Sequence, residues 1–280
     1  MHWHRPAWRM REVRVHILQG NVLIIKTIIT HNQTLLLHMT PQLGGMHSLI
    51  QAYDALGLPA IPLVTPPDVS LEAILGKITN PGIATALGAS QATVAAIHRA
   101  ELTANLLDAY SETGDRAFLV SADAEYRTLL GLLPPDVSAL VQSRGAAALP
   151  YFLHEQDVAG RISRGEFFLE EEVAAHLLWR GSDAPIYSAI LLADGIMGPG
   201  HTAGFRLRQG LSDLVDDIRD LEQDMRGIGV NLLLMSTVGT EPGLRNLAMN
   251  LYNQARLLPL PTPLLRAIER EYEQAIALLH

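Results

Sequence analysis

The chain contains no cysteine among its 280 residues. This absence excludes disulfides, thiolate metal sites, iron–sulfur clusters and cysteine nucleophiles. Aromatic residues make up only 5% of the chain, so aliphatic side chains must form the core. The longest uncharged run, 27–53, is interrupted by histidine, proline and glycine. No apolar run therefore reaches the roughly 18–20 residues that span a bilayer.

Basic residues are outnumbered by acidic ones: the chain has 21 Lys and Arg and 29 Asp and Glu, which gives a net charge of −8. Binding to nucleic acid needs concentrated Lys and Arg, so we expect no nucleic-acid partner. Residues 1–50 differ, with five basic residues and one acidic residue, and this basic start is compatible with peripheral contact at a membrane surface. The apolar stretch 22–29 is short and interrupted by Lys26, so we read no targeting peptide and expect a cytoplasmic protein.

Apolar residues repeat with the helical period along most of the chain. Good helix formers, Ala and Leu above all, dominate the 48% hydrophobic content, and no strand–helix alternation is evident. Ser70 and Ser90 have the position and chemistry of N-caps, and Gly114 marks a helix end. The pattern predicts helices over 71–78, 90–114, 120–132, 136–144, 151–160, 166–180, 183–197, 202–226, 240–257 and 263–279. The segment 12–38 is ambiguous between buried helix and strand, and helix is favoured.

These helices predict an all-α fold with one helical domain over residues 1–280. The breaks between them are short and rich in Pro and Gly, which is typical of helix-to-helix connections. Residues 1–66 have no clear assignment, and we expect this basic part to pack on the remaining helices.

Five aspartates fall on one face of the helix predicted over 202–226. At about 100° per residue they lie within an arc of about 100°. Their like-charge pairs cost roughly 1–2.5 kcal/mol together on an exposed helix, and Asp is a poorer helix former than Glu. A solvated surface is one interpretation; a divalent cation, which prefers oxygen ligands, is the other. We call this set the 213–224 acidic face: Asp213, Asp216, Asp217, Asp220 and Asp224.

A second set of polar residues recurs at helical spacing about a hundred residues upstream. It comprises Glu101, Asn105, Asp108, Glu112 and Asp115, and we call it the 101–115 acidic face. Alone, it is typical of a solvated surface. Facing the 213–224 acidic face across a bundle, it could hold metal ions between two helices.

The 213–224 acidic face resembles the second Asp-rich motif of the class I isoprenoid synthases. Asp216, Asp217, Asp220 and Asp224 match that motif, and Gly227 follows it. Residues 155–157 are similar to the family's Gly-Gln-x-x-Asp region, and the segment around Arg180 is similar to its Lys-Thr-Ala segment. The resemblance covers residues 95–235 and implies a single antiparallel helical bundle around a central cavity.

The chain departs from the family pattern in three places. The first motif is usually Asp-Asp-x-x-Asp, whereas this chain has Asp108-Ala-Tyr-Ser-Glu112. The family's Arg-Arg-Gly is reduced to Asp115-Arg116, and the Gly-Gly-Lys stretch that binds isopentenyl diphosphate has no counterpart. These departures disfavour ordinary chain elongation.

The resemblance implies a Mg²⁺-dependent enzyme that ionises a prenyl diphosphate. The allylic cation would then cyclise, be quenched by water or be transferred to an acceptor. It assigns catalytic roles to Asp108, Asp216 and Asp220, and metal binding to Asp108, Glu112, Asp216, Asp217, Asp220 and Asp224. Arg180, Arg226 and Arg116 would bind diphosphate, and Tyr110 would stabilise the allylic cation through its ring.

Two alternatives stay open at this stage. One is a polyprenyl diphosphate synthase that adds isopentenyl diphosphate. The other is a non-catalytic homologue that keeps the bundle as an interaction or regulatory subunit, and the altered first motif motivates it. A homodimer is compatible with either.

Overall fold

The structure is a computed structural model that describes residues 48–56, 69–166, 168–196, 198, 200–227, 230–235 and 241–279. Within these ranges the fold is all-α, with no strand. The helices are α1 (Leu49–Leu56), α2 (Leu71–Gly76), α3 (Asn80–Ala86), α4 (Gln91–Thr113), α5 (Arg116–Leu132), α6 (Pro135–Ala148), α7 (Pro150–Ser163), α8 (Glu170–Arg180), α9 (Ala184–Leu192), α10 (His201–Gly227), α11 (Glu241–Arg256) and α12 (Thr262–Leu278). The helix predicted over 12–38 lies outside the described residues.

Local capping fixes several of these boundaries. The Oγ atoms of Ser70 and Ser90 accept hydrogen bonds from the N–H groups of Ala73 and Thr93, at 3.1 and 3.3 Å. Gly114 ends α4 with a φ of 70°, a left-handed conformation that glycine adopts without strain. The predicted starts of α2 and α4 and the end of α4 are therefore confirmed.

Two short helices were missed, because distant side chains cap them. The N–H of Leu49, at the start of α1, donates to Asp123 on α5 at 2.6 Å. The N–H of Asn80, at the start of α3, donates to Glu101 on α4 at 2.8 Å. A local sequence pattern contains neither carboxylate, so it gives no signal for either helix.

Four predicted boundaries were wrong by several residues. Helix α5 begins at Arg116 rather than 120, because Asp115 caps it by accepting from the N–H of Ala117 at 2.9 Å. Helix α6 begins at Pro135 and continues to Ala148, four residues beyond the predicted end. Helix α8 begins at Glu170 rather than 166, after Gly165 with a φ of 66°. Helix α9 ends at Leu192 rather than 197, before Gly195 with a φ of 68°.

Helices α4 and α10 are the longest in the described part, with 23 and 27 residues. Helix α4 packs on α2, α3, α5 and α9, and α10 packs on α8, α9, α11 and α12. The buried apolar residues form one cluster that extends from Leu49 to Ala275. Leu211 and Leu214, on the apolar face of α10, are fully buried, as its amphipathic pattern predicts. No described helix is long and apolar enough to cross a membrane.

Candidate functional site

A cavity lies among α4, α5, α7, α9, α10 and the turn between α8 and α9. It leaves about 180 Å³ for the centres of water-sized molecules, well above the 10–15 Å³ or so that one buried water needs. Its apolar lining includes Ala104, Leu107, Tyr126, Leu149, Ile186 and Tyr187. Its polar lining includes Asn105, Asp108, Tyr151, Glu155, Arg180, Ser182, Asp183, Gln209 and Asp213. The cavity therefore offers both apolar wall and charged groups to one occupant.

The 101–115 acidic face divides into structural and cavity-facing residues. Glu101 is buried and accepts from the N–H groups of Thr79 and Asn80, at 3.0 and 2.8 Å. Asp115 caps α5. Asp108, by contrast, lines the cavity. Glu101 and Asp115, at the two ends of this face, therefore cap helices. Residues in the middle of the face, such as Asp108, are the ones left as candidates for the functional site.

Glu112 links the two acidic faces electrostatically. Burial raises its pKa to about 8, repulsion from Asp108 adds to the shift, and Lys77 opposes it. Glu155 of α7 and Asp224 of α10 contribute further repulsion. Asp224 of the 213–224 acidic face therefore lies within electrostatic range of Glu112 of the 101–115 acidic face.

Four carboxylates from these faces interact with one lysine. Lys77 follows α2, and Asp108 does most to raise its pKa, while burial acts in the opposite direction. The carboxylates that act on it are Asp108 and Glu112 from α4, and Asp216 and Asp220 from α10. Lys77 was not among the predicted site residues, because it lies outside both acidic faces and outside the segments that resemble the family.

Arg180 and Asp217 form a buried ion pair. The guanidinium Nη1 donates to Asp217 Oδ2 at 2.8 Å, and the two side chains are 15% and 5% exposed. The same Oδ2 accepts from the N–H of Leu232 at 2.9 Å. Arg180 Nε also lies 4.0 Å from Asp213. Arg180 lines the cavity, and its role in diphosphate binding stays a prediction. The Asp217 carboxylate is occupied by protein donors.

Asp213 and Glu155 add two carboxyl groups that the predicted site residues did not include. Burial raises the pKa of each to about 7; Arg180 opposes the shift at Asp213, and Asp108 adds to it at Glu155. Tyr151 donates its hydroxyl hydrogen to Glu155 at 2.7 Å. The similarity of residues 155–157 to a family region was the one sequence signal for Glu155.

The other predicted site residues differ in their surroundings. Arg116 pairs with Asp54 at 3.4 Å, with both side chains more than half exposed, and it is not among the residues that line the cavity. Tyr110 packs edge-to-face against Tyr53, with ring centroids 5.8 Å apart. Asp224 accepts from the side-chain amide of Asn231 at 2.7 Å. The Arg226 side chain lies outside the described part of the structure.

Within the described ranges, no group of three or more His, Asp or Glu side chains is close enough to hold one metal ion. The carboxylates of the two acidic faces instead form two walls on different helices, α4 and α10. A scan against protein-family models and searches of curated proteins and solved structures find no match to this chain.

Proposed function

We propose that this protein is a Mg²⁺-dependent isoprenoid synthase that ionises a prenyl diphosphate between its two acidic faces. One observation carries the proposal: carboxylates of both α4 and α10 raise the pKa of the Lys77 ammonium, so both acidic faces lie within electrostatic range of one side chain. The interaction between Glu112 and Asp224 supports the same arrangement.

The donor set fits a hard divalent cation. Mg²⁺ is usually bound through one or two carboxylates together with waters and substrate phosphates, so two separated walls suit it better than one closed cage. Asp108 and Glu112 would hold metal on the α4 side, and Asp216 and Asp220 on the α10 side. The half-buried Asp224 would complete the α10 side at its C-terminal end.

Asp217 has a different role in this proposal. Its carboxylate accepts from Arg180 and from the Leu232 N–H, so it fixes the direction of the guanidinium rather than facing a metal. Arg180 still has donors that can bind diphosphate oxygens, because a guanidinium carries five N–H groups. Asp217 is therefore a positioning residue for Arg180.

The chemistry follows from charge. The bond between the allylic carbon and the diphosphate oxygen breaks, and its electron pair leaves with the diphosphate. Bound Mg²⁺ would supply positive charge that stabilises this leaving group. Arg180 would bind the diphosphate oxygens, and the apolar wall formed by residues such as Leu107, Leu149 and Ile186 would hold the hydrocarbon and exclude water from the cation.

The direct experiment is pyrophosphate release from geranyl, farnesyl and geranylgeranyl diphosphate with Mg²⁺. We expect release from at least one substrate, and a loss of at least about tenfold in the Asp216→Asn/Asp220→Asn variant, because metal sites tolerate changes at their ligands poorly. Glu222→Gln is the matched control, since Glu222 is exposed on the opposite face of the same helix.

Two outcomes would change the proposal. Consumption of isopentenyl diphosphate in a parallel reaction would identify a chain-elongating synthase. No release from any substrate, with wild type equal to the double variant, would remove catalysis and favour a non-catalytic bundle protein. The ion pair between Arg180 and Asp217 is the observation that favours a non-catalytic protein, because each group already neutralises the other.

A further inference from the structure

Two histidines from different helices pack against each other where α7 meets α8. The ring centroids of His154 on α7 and His176 on α8 are 5.4 Å apart, and the ring planes are tilted by 44°. His176 is 0% exposed, and His154 is half-buried. Neither residue is among those that line the cavity, and neither belongs to an acidic face. The pair is therefore a feature that the proposed function does not use.

Three ring nitrogens of this pair are buried without a hydrogen-bond partner. They are Nδ1 and Nε2 of His176 and Nε2 of His154, for which the described part of the chain supplies neither donor nor acceptor. Buried polar side-chain atoms are in the large majority hydrogen-bonded, so an exception needs an explanation such as a bound ion. Two adjacent imidazoles with open nitrogens indicate a ligand, and imidazole is the commonest metal ligand among side chains.

The spacing of the two rings suits one metal ion between them. A bond from an imidazole nitrogen to a metal ion such as Zn²⁺ is about 2.0–2.1 Å long, so two imidazoles on one ion place their ring centroids roughly 5–6 Å apart. The observed separation of 5.4 Å lies within that range. Burial lowers the pKa of His176 well below its usual value, and the neutral imidazole is the form that binds metal.

The charges around the pair favour an ion of low charge. Both carboxylate oxygens of Glu172 already accept from Arg161, at 2.9 and 3.3 Å, and Asp157 is exposed. In the ranges given above, no third His, Asp or Glu is close enough to complete a metal site. Arg180, one turn after His176, adds positive charge nearby. A divalent ion would be buried here without an anionic ligand, which is costly, and a monovalent ion costs less.

Two aromatic rings adjoin the pair. The Trp179 ring centroid lies 5.1 Å from that of His154, and the Tyr151 ring stacks on His176 at 6.4 Å. Aromatic rings exclude water, and their faces attract cations. Copper is among the metals that imidazole binds well. These surroundings favour Cu⁺ over a strongly hydrated divalent ion.

We propose that His154 and His176 bind one Cu⁺ ion between α7 and α8. One nitrogen of each imidazole would hold the ion, with no carboxylate ligand. The inference does not rest on the proposed function, because it involves neither the cavity nor diphosphate. Bound Cu⁺ would link α7 to α8 and so stabilise the contact between these helices.

The test uses the full chain and Cu⁺ kept reduced under anaerobic conditions. Competition with a Cu⁺ chelator measures the affinity, and tryptophan fluorescence reports the location, because Trp179 adjoins His154. We expect one equivalent of Cu⁺ to bind to the wild type and to change its fluorescence. His154→Gln should lower the affinity at least about tenfold, since one of two ligands is lost.

The other histidines of the chain provide matched controls. His98→Gln replaces a half-buried histidine on α4, and His2→Gln/His4→Gln removes two histidines near the start of the chain; neither should change the affinity. Trp179→Phe should keep the binding and remove most of the fluorescence change. The chain has no cysteine, so no thiol competes for the ion. Circular dichroism without metal checks that each variant is folded.

The possible results separate the proposal from its alternatives. An unchanged affinity in folded His154→Gln overturns the inference, as does a loss confined to His2→Gln/His4→Gln. Zn²⁺ that binds to the same pair as tightly as Cu⁺ overturns the choice of a monovalent ion. No Cu⁺ binding to the wild type overturns the inference and leaves the proposed function unaffected, because that function is measured by pyrophosphate release.

Discussion

Removing the Arg180 guanidinium should destabilise the protein strongly, because its charge neutralises a buried carboxylate. Arg180→Met leaves Asp217, whose side chain is 5% exposed, with the Leu232 N–H as its remaining charge-stabilising donor. Breaking a buried ion pair by removing one partner costs about 3–5 kcal/mol. The Leu232 hydrogen bond keeps part of the stabilisation, so we expect a loss near 3 kcal/mol in the free energy of unfolding.

The reverse substitution should cost less. In Asp217→Asn the guanidinium still lies 4.0 Å from Asp213, so it keeps an anionic neighbour. A hydrogen bond to a charged group contributes about 1.5–3 kcal/mol, and we expect a loss in that range. The double variant should then be more stable than the sum of the two losses implies, with a coupling energy of about 1–3 kcal/mol.

Urea unfolding followed by circular dichroism measures these free energies. Arg116→Met is the matched control, because Arg116 pairs with Asp54 at the surface and such pairs contribute about 0–1 kcal/mol. A loss below about 1 kcal/mol in Arg180→Met would refute the reasoning. Strict additivity in the double variant would refute it as well, since it would mean that Arg180 and Asp217 do not stabilise each other.

Two further predictions concern proton binding and packing. Burial raises the pKa of Glu155 to about 7, so between its ordinary pKa and 7 the folded protein holds a proton that the unfolded chain has released. The free energy of unfolding should therefore fall as pH rises through this window, by at most about 1.4 kcal/mol per pH unit. Glu155→Gln should reduce this dependence on pH, as measured by urea unfolding at a series of pH values. Equal dependence on pH in the two proteins would contradict the prediction. A Cβ at Gly204 would lie 2.8 Å from Leu260 Cδ2 and 2.9 Å from Leu264 Cδ2, so Gly204→Ala should lower stability by about 1–3 kcal/mol. Gly131→Ala, which meets no atom within 4 Å, should raise stability by up to about 1 kcal/mol, and thermal unfolding that shifts both variants in one direction would be evidence against this packing.

Sequence reasoning succeeded where the determinant of structure is local. Ser70 and Ser90 cap their own helices, and Gly114 ends one, because each acts on backbone groups within four residues. It failed at α1 and α3, whose first N–H groups donate to Asp123 and Glu101 from other helices. A boundary set by a distant carboxylate leaves no mark in the local pattern.

For the candidate site, too, only the features that depend on local sequence could be predicted. Periodicity alone placed each acidic set on one side of its helix, and this needed only the 3.6-residue repeat. It could not assign different roles to carboxylates on one face. Asp108 lines the cavity while Glu101 caps α3, and Asp216 interacts with Lys77 while Asp217 accepts from Arg180.

The sequence by itself therefore determined an all-α chain and two helices with acidic faces, because helical propensity, capping and amphipathic spacing act over a few residues. Tertiary structure decided that both faces act electrostatically on one lysine, and which carboxylates accept hydrogen bonds from protein donors. The physical reason is that desolvation and ion pairing depend on distances between residues far apart in the chain. Those distances are fixed only when α4, α7, α8 and α10 pack around the cavity.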